Sequence, residues 1–253
     1  MGSFPQSIVH YLPVTDHDER WGIVCTTAGY QNVPPGSPYP LTQHPDSYSF
    51  TRSRGRVLGE YQLLYIVSGQ GEFRSASSPA APVKAGTVVM LFPDEWHTYA
   101  PDPETGWEEW WVGFRGENID RRVAEGFFSP KTPLLHIGHS AGIVSCYQEI
   151  IRSAEEERKG FQQLVTGIVL HLLGSVLFKR DNLQYLDNPI VEKINRAREM
   201  MRRHIGDNLP PEEIARRLNI GYTWFRRTFR AYVGIAPAQY QLQLRHNKAR
   251  ELL

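Results

Sequence analysis

Aromatic and acidic side chains are concentrated in the stretch GWEEWWVGFRG, at residues 106–116, where three Trp and two Glu occupy five consecutive positions. Side chains of a strand alternate between two faces, so Trp107, Glu109 and Trp111 would share one face. A hydrogen-bond acceptor between two flat aromatic rings is unusual for a core and suits a polar ligand that has an apolar side. The opposite face is predicted to pack against a neighbouring layer. Its members are Glu108, Trp110, Val112 and Phe114.

The sequence before and after this stretch predicts the strands and helices that would position its face. Short apolar runs at residues 61–67, 86–92 and 110–114 alternate with turn signals, which predicts a β-sandwich or small barrel. After about residue 140 the apolar spacing becomes helical, over 141–160 and 161–180. We therefore predict an α+β fold. Gly160 is predicted to lie in the turn between the two helices.

Charge is distributed unevenly along the 253 residues. Residues 189–253 hold 13 Lys and Arg against 6 Asp and Glu, a net charge of +7, whereas residues 1–188 hold 15 against 21, a net charge of −6. A basic end on an acidic body indicates nucleic-acid binding.

The cellular compartment is predicted from the cysteines and the apolar runs. Cys25 and Cys146 are too few for a disulfide framework, so reduced thiols in a cytoplasmic protein are expected. No signal peptide is recognisable, and the most apolar run, residues 164–178, is predicted to be a buried helix too short to span a bilayer. No membrane partner is expected.

Residues 209–234, LPPEEIARRLNIGYTWFRRTFRAYVG, have the pattern of a helix-turn-helix. Pro211 suits a first helical turn, and Asn219 tolerates the positive φ that the tight turn requires. Phe225 and Phe229 would face the core at i and i+4. Four side chains remain on the other faces, where they can reach the bases or phosphates of a major groove. These are Thr223, Arg226, Arg227 and Arg230.

Taken alone, the second helix of this segment is also compatible with an amphipathic helix that has a solvated basic face. With the following GIAPAQYQLQLRHNKARELL, however, residues 190–253 resemble the AraC/XylS family of bacterial transcription regulators. The matching positions include Gly234, Pro237, Tyr240, Arg245, Ala249 and Leu252. The resemblance implies double-stranded DNA as a partner, with Thr223, Arg226 and Arg227 facing the bases. Gly221 replaces the usual Ser N-cap, which predicts a weaker helix start. The family's second helix-turn-helix is expected after residue 253, so this chain is predicted to carry one of the family's two DNA-binding motifs.

Residues 55–116 are similar to the cupin-like sensing domain of the sugar-responsive branch of that family. The similarity lies in YQLLYIVSGQGEF, AGTVVMLFPDEWHTYAPDPETGW and WWVGFRG. It implies a jelly-roll barrel that holds a monosaccharide flat against a tryptophan, with its hydroxyls bound by polar side chains. By position, the ligand-binding candidates are Arg54, Tyr99, Glu109, Trp111, Gln31 and His97.

Other interpretations stay open on the sequence. Trp107 and Trp111 can simply fill the barrel, with Arg54 and Glu109 as a structural ion pair. A cupin-type metal-dependent enzyme acting on a sugar would need two or three His with a carboxylate, but YQLLYIVSGQGEF has no His where that cluster would fall. An anionic effector bound by Arg54 would be repelled by Glu109. We therefore predict no catalytic residue, no metal and no cofactor, with His97 as a structural or ligand-rim residue.

The helical region is predicted to form a homodimer. Its apolar stripe comprises Phe161, Leu164, Val165, Ile168, Val169, Leu172, Leu173 and Val176. The alternative is that the whole stripe covers the barrel. The predicted domains are a sensing domain (1–140), a dimerisation segment (141–180), a linker (181–189) and a partial DNA-binding domain (190–253). Predicted partners are a small-molecule effector, DNA, a second copy and RNA polymerase.

Overall fold

The structure, a computed structural model, describes residues 7–40, 48, 51–185, 189–207 and 209–251. It divides into two compact units, Met1–Leu183 and Gln184–Leu253. The first unit contains the strands and the helices of the predicted dimerisation segment, and the second is helical. The combination confirms the α+β class.

Within the described residues, the first unit contains eight strands: β1 (Ser7–Tyr11), β2 (Val24–Val33), β3 (Tyr61–Ser75), β4 (Ala81–Lys84), β5 (Thr87–Leu91), β6 (His97–Pro101), β7 (Trp107–Arg115) and β8 (Leu134–His136). They pair antiparallel in the order β1-β2-β7-β3-β5-β8, with β4 and β6 paired to β3. The long strand β3 pairs with β5 and β7 over its first half and with β4 and β6 over its second half, so that it joins two sheets. The three predicted apolar runs coincide with β3, β5 and β7.

Alternation along β7 divides its residues between two hydrophobic clusters, as predicted. Trp107 and Trp111 belong to the cluster enclosed between the two sheets, with Leu64, Val89 and Tyr99 among its other members. We call this enclosed side the barrel interior. The opposite face of β7 packs on helices in a second hydrophobic cluster, which we call the outer cluster. The residues of β7 in the outer cluster are Trp110, Val112 and Phe114.

In the described part of the first unit there are four α-helices. They are α1 (Asp16–Glu19), α2 (Glu117–Ala124), α3 (Ala141–Glu156) and α4 (Phe161–Asn182). Gly160 adopts φ 83° at the start of α4, which confirms the predicted turn because a left-handed conformation favours glycine. α4 is long and apolar enough, by length and composition alone, to cross a bilayer. The run 164–178, interpreted from the sequence as too short to span a bilayer, is only part of this longer helix, and its core residues are buried, as predicted.

The predicted dimerisation stripe on α4 lies largely in the core. Val165, Val169, Leu172, Leu173 and Val176 are at most 1% exposed and pack in the outer cluster against the sheet. The side chains of Leu172 and Val176 are therefore not available to a partner, and the interpretation of this side as dimer-facing was wrong.

A different side of α4 faces outward. Leu164 and Phe178 are 53% and 69% exposed. Gly167 and Gly174, on the same side, would have no heavy atom within 4 Å of an added Cβ.

α4 is attached to β2 by the amide of Gln162, which is 2% exposed. Its Oε1 accepts from Cys25 N at 3.0 Å, and its Nε2 donates to Cys25 O and to Pro13 O, both at 2.9 Å. These bonds satisfy backbone groups beside a register shift between Cys25 and Thr27, where β2 cannot continue a regular ladder with β7.

The second unit consists of α5 (Pro189–Arg203), α6 (Pro211–Arg217), α7 (Tyr222–Val233) and α8 (Pro237–Glu251). The predicted helix-turn-helix corresponds to α6 and α7. Ala215, Phe225 and Phe229 are buried in its core, and Asn219 adopts φ 53° in the turn, as predicted. Leu252 lies outside the described residues.

Candidate functional site

The barrel interior contains a cavity of about 370 Å³, including its mouth. Strands β1, β2, β3, β6 and β7 supply one part of its wall, and residues between β2 and β3 in the sequence supply the rest. The residues that line it are Val9, Tyr11, Thr27, Gln31, Tyr39, Pro40, Tyr48, Arg56, Gln62, Tyr99, Glu109 and Trp111. Four of the six predicted ligand-binding residues are among them.

Trp111 lies directly over a glycine of the neighbouring strand. Gly29 on β2 is its cross-strand partner. A Cβ added at Gly29 would lie 2.5 Å from Cε2 and Cη2 of Trp111 and closer still to Cζ2, well inside van der Waals contact. The six-membered ring therefore rests on the Gly29 backbone and occupies the space that a side chain would take. Trp111 remains 8% exposed in the cavity wall.

Glu109 is a buried carboxylate beside this ring. It lies opposite Gln31 in the β2–β7 register and is 2% exposed. Tyr39 Oη donates to its Oε1 at 2.9 Å. Burial raises the pKa of Glu109 to about 7, against the opposing effects of the Tyr39 hydrogen bond and the Arg56 charge. The Trp107 N–H also faces the carboxylate and lowers its pKa, although the two make no hydrogen bond.

Arg56, rather than the predicted Arg54, is the cavity arginine. Arg56 donates to Tyr48 O at 2.7 Å, to Tyr99 Oη at 2.8 Å and to Gln62 Oε1 at 3.3 Å. Arg54 is exposed and does not line the cavity. Gly55 between them adopts φ 63°, which ends the extended alternation and directs the two arginines to different environments.

His97 lies behind Arg56 and does not line the cavity. Arg56 Nε donates to His97 Nε2 at 3.3 Å, and His97 Nδ1 lies 3.0 Å from Glu95 O. This pair of contacts requires the tautomer with the proton on Nδ1. Burial, followed by the Arg56 charge, lowers the pKa of His97 to about 4, so the ring is neutral near pH 7. His97 therefore positions Arg56.

A second buried carboxylate, Glu60, adjoins the cavity. It is 5% exposed and accepts from Gln62 at 2.8 Å, from Tyr48 at 3.0 Å and from Thr27 at 3.3 Å. Gly113 provides its space, since an added Cβ there would lie 3.0 Å from Glu60 Cδ. Gln62 connects Glu60 to Arg56. Within the described residues, no group of three or more His, Cys, Asp and Glu side chains could hold a metal ion.

The second unit carries the other candidate site. Thr223, Arg226, Arg227 and Arg230 are all exposed on α7 and line one shallow open groove. Their spacing of three and four residues places them on a single helix face. The opposite face contains the buried Phe225 and Phe229. α7 begins at Gly221 without a side-chain cap, as predicted.

Residues 35–173 match the family described as AraC-like ligand binding domain. The chain belongs to this family. The match includes the segment with Tyr39 and Arg56, most of the strands and the first half of α4, and it confirms the resemblance drawn from the sequence. The AraC-like domain thus contains the whole set of polar cavity groups except those of β1 and β2.

Two relatives of this AraC-like chain are named as operon regulators. It is 22% identical over 200 residues to the Msm operon regulatory protein of Streptococcus mutans, with 78% of this chain and 71% of that protein aligned. It is 21% identical over 217 residues to the raffinose operon transcriptional regulatory protein RafR of Pediococcus pentosaceus, with 81% and 75% aligned. Among solved structures, ToxT from Vibrio cholerae aligns with 94% of this chain and 98% of that chain, at 10% identity and a TM-score of 0.29.

Sequence reasoning missed several cavity residues of the AraC-like domain. Tyr39 and Tyr48 lie between β2 and β3 in the sequence, where no periodicity indicates a face. Gln62 was recognisable in principle, because it shares the face of Leu64 and Ile66 on β3. Trp107 is buried against Tyr39 and Tyr99 and does not line the cavity.

The contact between Trp111 and Gly29 leads to a prediction. We expect Gly29→Ala to displace the indole from β2 toward the cavity and to weaken effector binding by about tenfold or more, since overpacking of this kind costs roughly 1–3 kcal/mol. Gly59→Ala is the matched control, because an added Cβ there meets no atom within 4 Å. Calorimetric titration of both variants measures the effect, and adding Trp111→Phe to Gly29→Ala should restore part of the binding. Unchanged affinity in Gly29→Ala would show that Gly29 does not position the ring.

Proposed function

We propose that this protein is a sugar-responsive, DNA-binding transcription regulator of the cytoplasm. In this proposal a monosaccharide in the barrel cavity alters DNA binding by α7 and acts through a homodimer, with RNA polymerase as the downstream partner. The AraC-like domain and the names of the two relatives, both operon regulators and one of a raffinose operon, support the proposal.

The observation that carries the sugar assignment is the placement of the Trp111 ring and the Glu109 carboxylate in one cavity wall. A pyranose has an apolar C–H face that can stack on an indole and a rim of hydroxyls that need acceptors and donors. Glu109 accepts from hydroxyls, while Gln31 and Gln62 can donate and accept.

An anionic effector fits this cavity less well. The guanidinium of Arg56 already donates hydrogen bonds to Tyr48, Gln62, Tyr99 and His97. A carboxylate ligand would have to displace one of these contacts and would also approach Glu109, a like charge in a poorly solvated site.

A panel of monosaccharides in a thermal-shift assay tests the assignment. A ligand that binds only the folded state raises the melting temperature in proportion to the logarithm of its concentration. The expected result is stabilisation by one or a few pentoses or hexoses, together with a change in tryptophan fluorescence. If no monosaccharide does so while an organic acid does, the sugar assignment is wrong.

We expect Arg226→Ala to weaken binding to a specific DNA site by about tenfold and to reduce discrimination between sites, since a base-contacting arginine contributes roughly 1–3 kcal/mol. Fluorescence anisotropy at several salt concentrations measures both effects. With the few cations of α7 at the groove, the slope of log K against log salt should be on the order of −3 to −4, with micromolar affinity at best. Arg196→Ala on α5 is the control, because Arg196 is exposed and paired with Glu192. Equal losses of DNA affinity in the two variants would show that Arg226 contributes only non-specific positive charge to DNA binding.

The homodimer is proposed on the outward side of α4. Leu164, Gly167, His171, Gly174 and Phe178 follow spacings of three and four residues, and all five are exposed. An apolar helix side with glycines at its centre allows two helices to approach closely. We expect the double variant Leu164→Glu, Phe178→Glu to be a folded monomer by light scattering at tens of micromolar, where the unaltered protein is a dimer. An unaltered protein that is monomeric under those conditions contradicts the proposal.

A further inference from the structure

We propose that the cavity selects an effector that carries a protonated amino group, a 2-amino-2-deoxyhexose, over the neutral parent sugar. The inference rests on the proposed function, because it narrows the chemical class of small molecule that the same site binds.

The first argument is the charge of the cavity. Two carboxylates, Glu60 and Glu109, are buried in or beside it, at 5% and 2% exposure. Against them stands the guanidinium of Arg56. His97, the nearest other basic group, is neutral near pH 7, because burial and the Arg56 charge lower its pKa to about 4. Two carboxylates against one guanidinium leave one negative charge in excess when Glu109 is ionised, and a cation bound beside Glu109 favours that ionised form.

The second argument is the hydrogen bonding of the two carboxylates. Glu60 accepts from the neutral groups of Thr27, Tyr48 and Gln62 through both of its oxygens. Glu109 accepts from Tyr39 at Oε1, but its Oε2 is buried and makes no hydrogen bond among the described residues, although the Trp107 N–H faces the carboxylate. A buried carboxylate oxygen in this state is costly unless a donor reaches it. Glu109 therefore gains from a ligand that donates to Oε2.

An ammonium group satisfies this position better than a hydroxyl. It offers three N–H donors where a hydroxyl offers one, and its charge cancels the excess negative charge. A hydrogen bond in which either the donor or the acceptor is ionised is roughly twice as strong as one between neutral groups, and an ammonium adds to it the attraction between opposite charges in a poorly solvated site. We therefore expect an amino sugar to bind about tenfold more tightly than its parent or better.

The walls around Glu109 favour the same ligand. Trp111 presents a ring face for the apolar side of the sugar, and Tyr39 and Tyr99 line the same cavity. Aromatic rings attract a cation that lies over their faces, by about 0.5–2 kcal/mol. Arg56 opposes an approaching cation, but it is bound to Tyr99 and Gln62, and its charge offsets only one of the two carboxylates.

The test compares matched sugars on the full chain at about pH 7, where an amine of this kind is largely protonated. D-glucose, D-glucosamine and N-acetyl-D-glucosamine form one series, and the galacto and manno sugars form two more. Calorimetry should show, in at least one series, about tenfold tighter binding of the amino sugar than of its parent. The N-acetylated sugar, which is neutral, should bind no better than the parent.

Two variants assign the preference to a residue. Glu109→Gln removes the charge at constant shape and should bring the affinity ratio of amino sugar to parent close to one. Glu108→Gln is the matched control, because Glu108 is the adjacent carboxylate on the opposite face of β7 and does not line the cavity; its ratio should stay at about ten.

Each outcome decides a point. If neutral sugars bind and no amino sugar binds more tightly, or if the preference persists in Glu109→Gln, the inference is overturned while the sugar-responsive function stands. If no sugar of any series binds, the inference is overturned, and the wider monosaccharide panel decides separately whether the sugar-responsive function stands.

Discussion

Between pH 4 and pH 8, the unaltered protein should lose about 3 kcal/mol of unfolding free energy that Glu109→Gln keeps. The variant should therefore gain stability relative to the unaltered protein as the pH rises. The pKa of Glu109 is about 7 in the folded chain against an ordinary value of 4.5. Between these values the unfolded chain has lost the proton while the folded chain retains it, so raising the pH favours unfolding. Each pKa unit corresponds to 1.36 kcal/mol. The loss begins near pH 4.5 and is complete above pH 7. Glutamine does not titrate and lacks this loss.

Urea unfolding at a series of pH values measures this difference. Tryptophan fluorescence is a suitable signal, because five of the six Trp residues lie in the first unit and only Trp224 lies in the second. Glu108→Gln is the control for a carboxylate on the opposite face of β7. Parallel pH profiles for Glu109→Gln and the unaltered protein would mean that Glu109 titrates normally in the folded state.

Trp111→Ala should weaken effector binding by about 100-fold while leaving a folded protein. The stacked sugar face and the apolar area buried against the indole together contribute on the order of 2–3 kcal/mol. The binding sugar from the monosaccharide panel is the ligand for this measurement, by calorimetry. Trp111→Phe keeps a flat ring on Gly29 and should retain most of the affinity.

A control tryptophan separates stacking from a general effect of aromatic loss. Trp21 is 58% exposed and lies outside the cavity, so Trp21→Ala should bind sugar normally. If Trp111→Ala binds as tightly as Trp21→Ala, the sugar does not stack on Trp111 and the position of the ligand in the cavity must be revised.

The paired arginines near the first core strand illustrate the limit of sequence reasoning. Arg54 and Arg56 are two residues apart, so a strand would place both on the same face. The alternation of side chains along a strand therefore cannot tell which of the two lines the cavity. Gly55 interrupts that period with φ 63°, and a single bridge, Arg56 to His97, holds Arg56 at the cavity. The backbone path after Gly55 is decided by packing against Trp96 and His97, which lie some forty residues further along the chain.

Helix α4 shows the same limit on a larger scale. Its apolar residues surround most of the helix, so the pattern predicts burial but not which side the sheet covers. The sheet covers Leu172 and Val176, and Leu164 and Phe178 remain outside.

The sequence by itself determined those features that depend on local periodicity and backbone preference. Alternation of period two placed Glu109 and Trp111 on one face of β7, and helical spacing placed Thr223, Arg226, Arg227 and Arg230 on the exposed side of α7. Only the tertiary structure decided which residues complete the cavity around that face. Tyr39, Tyr48 and Arg56 come from a segment without periodicity, and their positions follow from long-range hydrogen bonds to Glu109, Glu60 and Tyr99, which no local rule contains.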